Sequence, residues 1–532
     1  SWLKGESKTV ELNAAWAVRA MELEQRPASQ GEQAPAVATT SSATEVSHPS
    51  CGGHIAPLTN LGLLRRIAVV SAPAYPSAVV NRCVSLYSCA LVGRLDDLYE
   101  LAAVGLATII VNVTGYSWLW GLSAGVTTLS SQSWGANSYH AVGITLQRAF
   151  LVLACFADIP MIVLWLSAEP FLLAVGQPRE VARLVGLYAR IRVPGLLCQT
   201  VNAVVSRTLS SIQNTRIGLV LSIISAISNI LLSSWLIPRY GFVGAPIASL
   251  ICDIISAIGV CILAWRDEDF RKCWPGFQRQ AWWHWPEFLR VSCPSLALLG
   301  IEWWTWDLQN FFAGLISPLA QATQAVAPGI TDLQYCVGDA LSTGASTVIG
   351  NLLGEGRATE ARRTAYLIMG VVFMFMVLQA AIFVSLRSEV VQLFTDNEEV
   401  IRNISDLLPT TLLFSFIDGH QCVLAGILVG AGRQTIAAPT IFFCYWVVGV
   451  PLGVALAFGA LGTKRRGLEG LWTGMLVAVS LHAFLFGLLV LRLRWHSIAE
   501  EVRQRTQKEQ QAAGTGGSDL GQGLVEEGPR QS

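Results

Sequence analysis

Charge is what this chain has least of. Asp, Glu, Lys and Arg make up 14% of its 532 residues, against about a quarter in ordinary soluble domains. The 36 basic and 36 acidic residues cancel, which argues against nucleic acid or an acidic polymer as partner. The 12 cysteines lie singly, without a CxxC pair, so neither a disulfide framework nor a zinc site is indicated. An HExxH pair, a metal-spaced His/Asp cluster and paired catalytic acids beside a nucleophile are all missing. The chain does not read as an enzyme, and no cofactor is expected. What is abundant is apolar: 52% of residues, in runs of roughly 20 to 30 that suit helices crossing a hydrocarbon layer about 30 Å thick.

The chain also contains itself twice. Leu122-Ser123-Ala124-Gly125 returns as Leu341-Ser342-Thr343-Gly344, and at the same offset of about 219 residues Gln132 falls on Asn351, Gly135 on Gly354 and Glu180-Val181 on Glu399-Val400. Duplicated membrane halves are a recurrent plan of secondary transporters, which move one half against the other around a central site. Transport is therefore the leading expectation, and a pore-loop signature that would favour a channel is missing.

Hydropathy and turn signals give about twelve spans. The first half holds Ile67–Val92, Ala103–Ser130, Val142–Leu166, Tyr188–Leu209, Gly218–Ile237 and Val243–Ala264. The second holds Phe288–Leu315, Ile330–Ile349, Ala365–Leu386, Leu408–Gly430, Ala437–Phe458 and Leu468–Leu491. The expected fold is an all-α membrane protein, with twelve transmembrane helices in two pseudo-symmetric six-helix bundles around a central cavity. The expected divisions are a disordered N-terminal tail over 1–60, bundles over 61–265 and 287–495, a cytosolic linker over 266–286 and a disordered C-terminal tail over 496–532. The polar tails lack apolar periodicity. An even span count puts both termini on one side. That side collects about 17 Lys and Arg against about 9 on the other, so the termini are expected in the cytosol; Lys464-Arg465-Arg466 runs against that bias. Prolines within spans, notably Pro73 and Pro76, permit bending.

Several motifs occur in order along this frame. Ser131 to Gly143 reads SQSWGANSYHAVG and is followed by Leu146-Gln147-Arg148. Ile301-Glu302-Trp303-Trp304 and Asn351-Leu352-Leu353-Gly354-Glu355-Gly356 lie in the second half, with Asp418-Gly419-His420-Gln421 and then Gly426; Asn112-Val113-Thr114-Gly115 lies in the second span. Together they resemble the multidrug and toxic compound extrusion (MATE) transporters, eukaryotic or plant-like branch, over about residues 64–493. The resemblance implies a secondary antiporter that exports organic cations, xenobiotics or organic acids by alternating access. A proton gradient, or less simply sodium, would drive it. The implied partners are a small organic solute, the coupling proton or sodium ion and the lipid bilayer, with no nucleic acid and a monomeric state. The plasma or vacuolar membrane is the expected location, a plastid envelope the alternative. A lipid or lipid-linked flippase of a related two-bundle fold is the rival function.

An ionised carboxylate at mid-membrane costs about 2.5 kcal/mol or more and persists when protonated, paired or facing a wet cavity. Coupling needs a group whose charge changes and whose charge state biases the direction the cavity faces. Glu302, in the seventh span at a position the family uses for cations, is the first candidate, followed by Asp307 and Asp418. On a helix, Trp306 and Gln309 follow Glu302 on one side, with Trp303 beside Asp307. Aligning Pro73 with Pro294 sets Asn81 opposite Glu302 in the repeat. Its neighbour Arg82 needs an anion: Glu302 or Asp418 across the cavity, a structural partner, or an anionic solute. Asn81, Arg82, Asn112, Trp303, Trp306, Gln309 and Gln421 form the expected cavity lining, where flat rings can stack on aromatic or cationic solutes. Thr127 and Gly329 stand where many relatives carry acids, with Asp332 and Asp339 near the second. Asp158 and Asp253 are further acids within spans.

Overall fold

The computed structural model describes residues 57–92, 98–386, 398–462 and 464–522. The N-terminal segment assigned to a tail lies outside them up to residue 56. Twelve long helical runs span the described region, because an apolar chain in lipid must satisfy every backbone group within its own helix. They are α1 (Asn60–Val92), α2 (Leu98–Val111 and Ser117–Gly135), α3 (Tyr139–Leu153 and Ile159–Leu166), α4 (Arg179–Ser211), α5 (Arg216–Tyr240) and α6 (Gly244–Arg266). The second half repeats the set: α7 (Trp285–Ile316), α8 (Pro318–Gly354), α9 (Ala358–Ser385), α10 (Glu398–Gly430), α11 (Gln434–Phe442 and Val450–Phe458) and α12 (Leu468–Leu491). Three of them contain a π-helical turn, at Asn112–Tyr116, Ala154–Asp158 and Phe443–Gly449, the kind of local widening often met at functional positions.

Seven helical runs are long and apolar enough to cross a membrane on composition alone, and they cover every span except α1, α4, α7 and α8. Those four carry Arg82, Arg192 and Arg207, Glu302 and Asp307, and Asp332 and Asp339. Their polarity marks the helices that turn toward the interior instead of lipid. A short nucleophile-like match, Gly121-Leu122-Ser123-Ala124-Gly125, lies inside α2, where Ser123 Oγ donates to the Trp120 carbonyl at 2.9 Å. The strand–turn–helix that such a motif needs is not there.

Two large apolar cores form among the described residues, and each borrows from the other half. Leu63, Ile67 and Val70 of α1 lie in the core built from α8, α9, α10, α11 and α12, whereas Phe288 of α7 lies in the core of the first six helices. Glycine makes the crossing possible. A Cβ on Gly344 would meet Ser71 Oγ at 2.1 Å, and one on Gly125 would meet Ser292 Oγ at 2.0 Å. These are the glycines of the repeated LSAG and LSTG segments, and each seats the first helix of the opposite half.

The stretch 266–286 contains the short helix Glu268–Cys273, capped by Asp267 accepting from the Phe270 amide at 2.8 Å. The expected tail from residue 496 is instead helical. Helix α13 (Trp495–Gln522) follows α12 and buries Trp495, Ile498, Ala499 and Val502 in the second core. Its apolar residues recur at helical spacing among many Glu, Gln, Lys and Arg, a pattern that its polar composition conceals.

Candidate functional site

The acids of the first half are locked in place. Asp158 sits in the π turn of α3 and accepts from Thr200 Oγ1 at 2.8 and 3.0 Å. Asp253 in α6 pairs with Arg192 of α4 at 2.7 Å, both side chains under 10% exposed, and also accepts from Gln199 Nε2 at 2.7 Å. Each carboxylate has the partners that burial demands.

The second half differs. Glu302 of α7 lies close enough to Asp418 of α10 for the charge on Asp418 to act on it. Among the described residues, neither forms an ion pair with Lys, Arg or His. Asp418 is 6% exposed and accepts from Gln421 Nε2, one turn along α10, at 2.9 Å. Tyr335 of α8, Cys422 of α10 and Tyr445 of the π turn in α11 lie within electrostatic reach of both acids. The Cys422 thiol is 3.7 Å from the Tyr335 hydroxyl. The Tyr445 hydroxyl is buried without a hydrogen-bond partner, and the Tyr445 ring packs edge-on to His482 at 5.6 Å. The result is a cluster of hydrogen-bearing groups around two carboxyls that lie within electrostatic reach of each other. The sequence suggested the acids and Gln421; Tyr335 and Tyr445 lacked any motif to single them out.

The remaining expected residues distribute unevenly. Arg82 donates to Asp332 Oδ2 of α8 at 3.2 Å, with its guanidinium 5.9 Å from the Tyr335 ring. Its partner is thus neither Glu302 nor Asp418, because α8 approaches α1 more directly than α7 or α10. Arg207 of α4 lies over the Trp120 ring at 5.5 Å and within electrostatic reach of Asp339. Asn81 is exposed and donates to Ser222 Oγ of α5 at 3.3 Å, away from the acid pair. Asn112 is exposed in the π turn of α2. Trp306 packs against Phe414 at 5.4 Å and Trp472 at 5.7 Å, inside the second half. Gln309, 4% exposed, has both amide atoms buried without a partner. Asp307 and Trp303 are half-buried on α7.

On the side of the chain's termini the two halves close on each other. Arg66 of α1 pairs with Glu355, just beyond α8, at 2.7 Å. The Gln132 amide of α2 donates to the Gly430 carbonyl at 2.9 Å, and Thr128 Oγ1 donates to the Val429 carbonyl at 2.8 Å. No group of three His, Cys, Asp or Glu side chains suited to a metal ion occurs among the described residues.

Comparison with known proteins places this architecture. The MatE family profile matches twice, over residues 73–235 and 294–455, together more than half of the chain. The multidrug and toxin extrusion protein 2 of Mus musculus is 31% identical over 409 residues, covering 76% of this chain and 70% of that protein. The multidrug and toxin extrusion protein 1 of Homo sapiens is 28% identical over 446 residues, covering 83% and 76%. The crystal structure of the eukaryotic MATE transporter AtDTX14 superposes with a TM-score of 0.77 at 24% identity, over 84% of this chain and 99% of that one.

Proposed function

The chain belongs to the MATE family of multi-pass membrane transporters, and from that premise we propose that it exports small organic solutes in exchange for protons, by alternating access between its two halves. The observation that carries the reading is the pair Glu302 of α7 and Asp418 of α10, within electrostatic reach of each other and with no basic partner among the described residues. A solute arriving from one side and a proton from the other would compete for the same site. The carboxyl charge would set which way the cavity opens.

Protons are favoured over sodium by the company the acids keep. Tyr335, Tyr445 and Cys422 bring hydroxyl and thiol hydrogens, and Gln421 turns its NH₂ to Asp418. A flippase would ask for a cationic lining, but Arg82 is engaged by Asp332 and Arg192 by Asp253. The side that holds the termini is assigned to the cytosol, on the excess of Lys and Arg there.

Purified protein in proteoliposomes tests the reading. Uptake of a fluorescent organic cation and of an organic acid is compared under an imposed pH gradient and an imposed sodium gradient. Uptake that follows pH alone is expected. Uptake that follows sodium alone, or scrambling of labelled lipid without solute movement, overturns the proposal.

A further inference from the structure

The repeat that first exposed the duplication has a geometric counterpart at the terminal side. Gln132 and Asn351 occupy the same place in the two halves, near the ends of α2 and α8. Ser211 and Gly430 are also repeat mates, at the ends of α4 and α10. The bonds between them are crosswise. Gln132 of the first half donates to the Gly430 carbonyl of the second at 2.9 Å. Asn351 of the second half, its amide set by its neighbours, donates to the Ser211 carbonyl of the first at 3.2 Å and to the Ser131 carbonyl at 2.6 Å.

The backbones meet with the same reciprocity. A Cβ on Gly135 would lie 2.0 Å from the Asn351 carbonyl oxygen, and one on Gly354 would lie 2.1 Å from that of Gln132. Gln132 and Asn351 are almost fully buried. Two turn residues depart from the symmetry, Asn137 at φ 55° opposite Gly356 at φ 75°, and Gln213. Where the second half has Gly432 at φ 70°, the first has Gln213 at φ 66°. A side chain in the left-handed region costs roughly 1–2 kcal/mol; here Gln213 Nε2 donates to Asn351 at 2.7 Å. The strained backbone places a side chain on the contact, the relation expected of a functional outlier. On the other copy Arg505 of α13 fills a similar role, donating to Gln132 Oε1 at 2.7 Å.

We propose that Gln132 and Asn351 are paired, equivalent latches that hold the terminal side shut during transport, with Gln213 and Arg505 as positioning residues that orient the two amides. The proposal rests on the alternating-access reading above. Opening this side breaks both crosswise bonds together, since each latch spans the same seam from opposite directions. Around the two amides the seam is made of hydrogen bonds to backbone carbonyls, flanked by the Arg66–Glu355 ion pair, so its closure is firm but reversible.

The test is a distance measurement in lipid nanodiscs. Spin labels go on cysteines placed at Asn137 and Thr359, both exposed beside the seam on opposite halves, with the native cysteines replaced. The parent is expected to give mainly a short distance. Gln132→Ala, which loses one buried hydrogen bond across the seam, should raise the ratio of long to short distances about three- to ten-fold, and Asn351→Ala, which loses two, at least as much. Gln132→Glu keeps the volume and the Arg505 contact but sets an acceptor against the Gly430 carbonyl, so it should open the seam as well. Arg505→Gln should open it less.

Unchanged distances in the folded alanine variants overturn the proposal. Opening by one alanine variant but not the other overturns the equivalence. Should an alanine variant fail to elute as a folded monodisperse species, Gln132→Glu decides, with an unchanged distance counting against the latch. Gradient-driven uptake by the unlabelled parent separates this idea from its premise: latch-dependent distances without uptake would sink the antiport reading alone.

Discussion

Arg82 Nη1 lies 3.2 Å from Asp332 Oδ2, joining the first helix of one half to the second helix of the other. The two side chains are 39% and 46% exposed, so the pair contributes only about 0–1 kcal/mol to stability. Its value lies in which conformation it favours. Arg82→Ala is expected to leave the melting temperature almost unchanged while cutting gradient-driven uptake several-fold. The loss should be equal for an organic cation and an organic acid, and the charge swap Arg82→Asp with Asp332→Arg should restore a measurable part. A loss confined to the organic acid would instead mark Arg82 as a solute contact.

Removing the ionisable group at position 302 tests coupling directly. Glu302→Gln preserves shape and is expected to abolish uptake driven by a pH gradient, with expression and gel-filtration profile intact. Asp418→Asn keeps an acceptor for Gln421 and should reduce uptake at least ten-fold. Uptake at the parent rate in Glu302→Gln would remove that residue from the mechanism.

The first-half acids should behave in the opposite way. Arg192 and Asp253 form a buried pair at 2.7 Å, and removing one partner leaves an uncompensated charge, at a cost of about 3–5 kcal/mol. Arg192→Met is therefore expected to lower the yield of folded protein sharply. Pairing it with Asp253→Leu should recover much of that yield. A well-folded single variant with impaired transport would contradict the structural role.

The glycines at the terminal seam admit no side chain. At Gly354 a methyl group would lie 2.1 Å from a backbone oxygen of α2, where no rotamer change gives relief. Gly354→Ala is expected to cost about 1–3 kcal/mol as overpacking and to push the seam apart, read as faster labelling, from the terminal side, of a cysteine at Ser131. Gly370→Ala, where no atom lies within 4 Å of the added carbon, is the neutral comparison.

Much of this molecule is legible in its sequence because lipid leaves a chain few choices. Spans, duplication and the family follow from apolar runs and repeated motifs, and Glu302, Asp418 and Gln421 stand out because polar groups are costly in hydrocarbon. Other features depend on distances between helices that no pattern encodes. The partner of Arg82 follows from how closely α8 approaches α1. Tyr335 and Tyr445 look like ordinary span aromatics until the fold brings them to the acids. Helix α13 hides because its apolar residues are diluted by Gln and Glu, and its order comes from the core it docks on. The crosswise bonds of Gln132 and Asn351 were present only as an alignment of two letters.

The swapped roots of α1 and α7 bear on how such a molecule can move. Leu63, Ile67 and Val70 are embedded among residues of the second half, beneath the bends available at Pro73 and Pro76. If the terminal side parts as proposed, the foot of α1 would travel with its host and the helix would flex above it, while Phe288 ties α7 reciprocally to the first half. The chain's division at its midpoint is therefore a record of its gene's ancestry, and any pieces that swing as rigid bodies would be drawn along a different line.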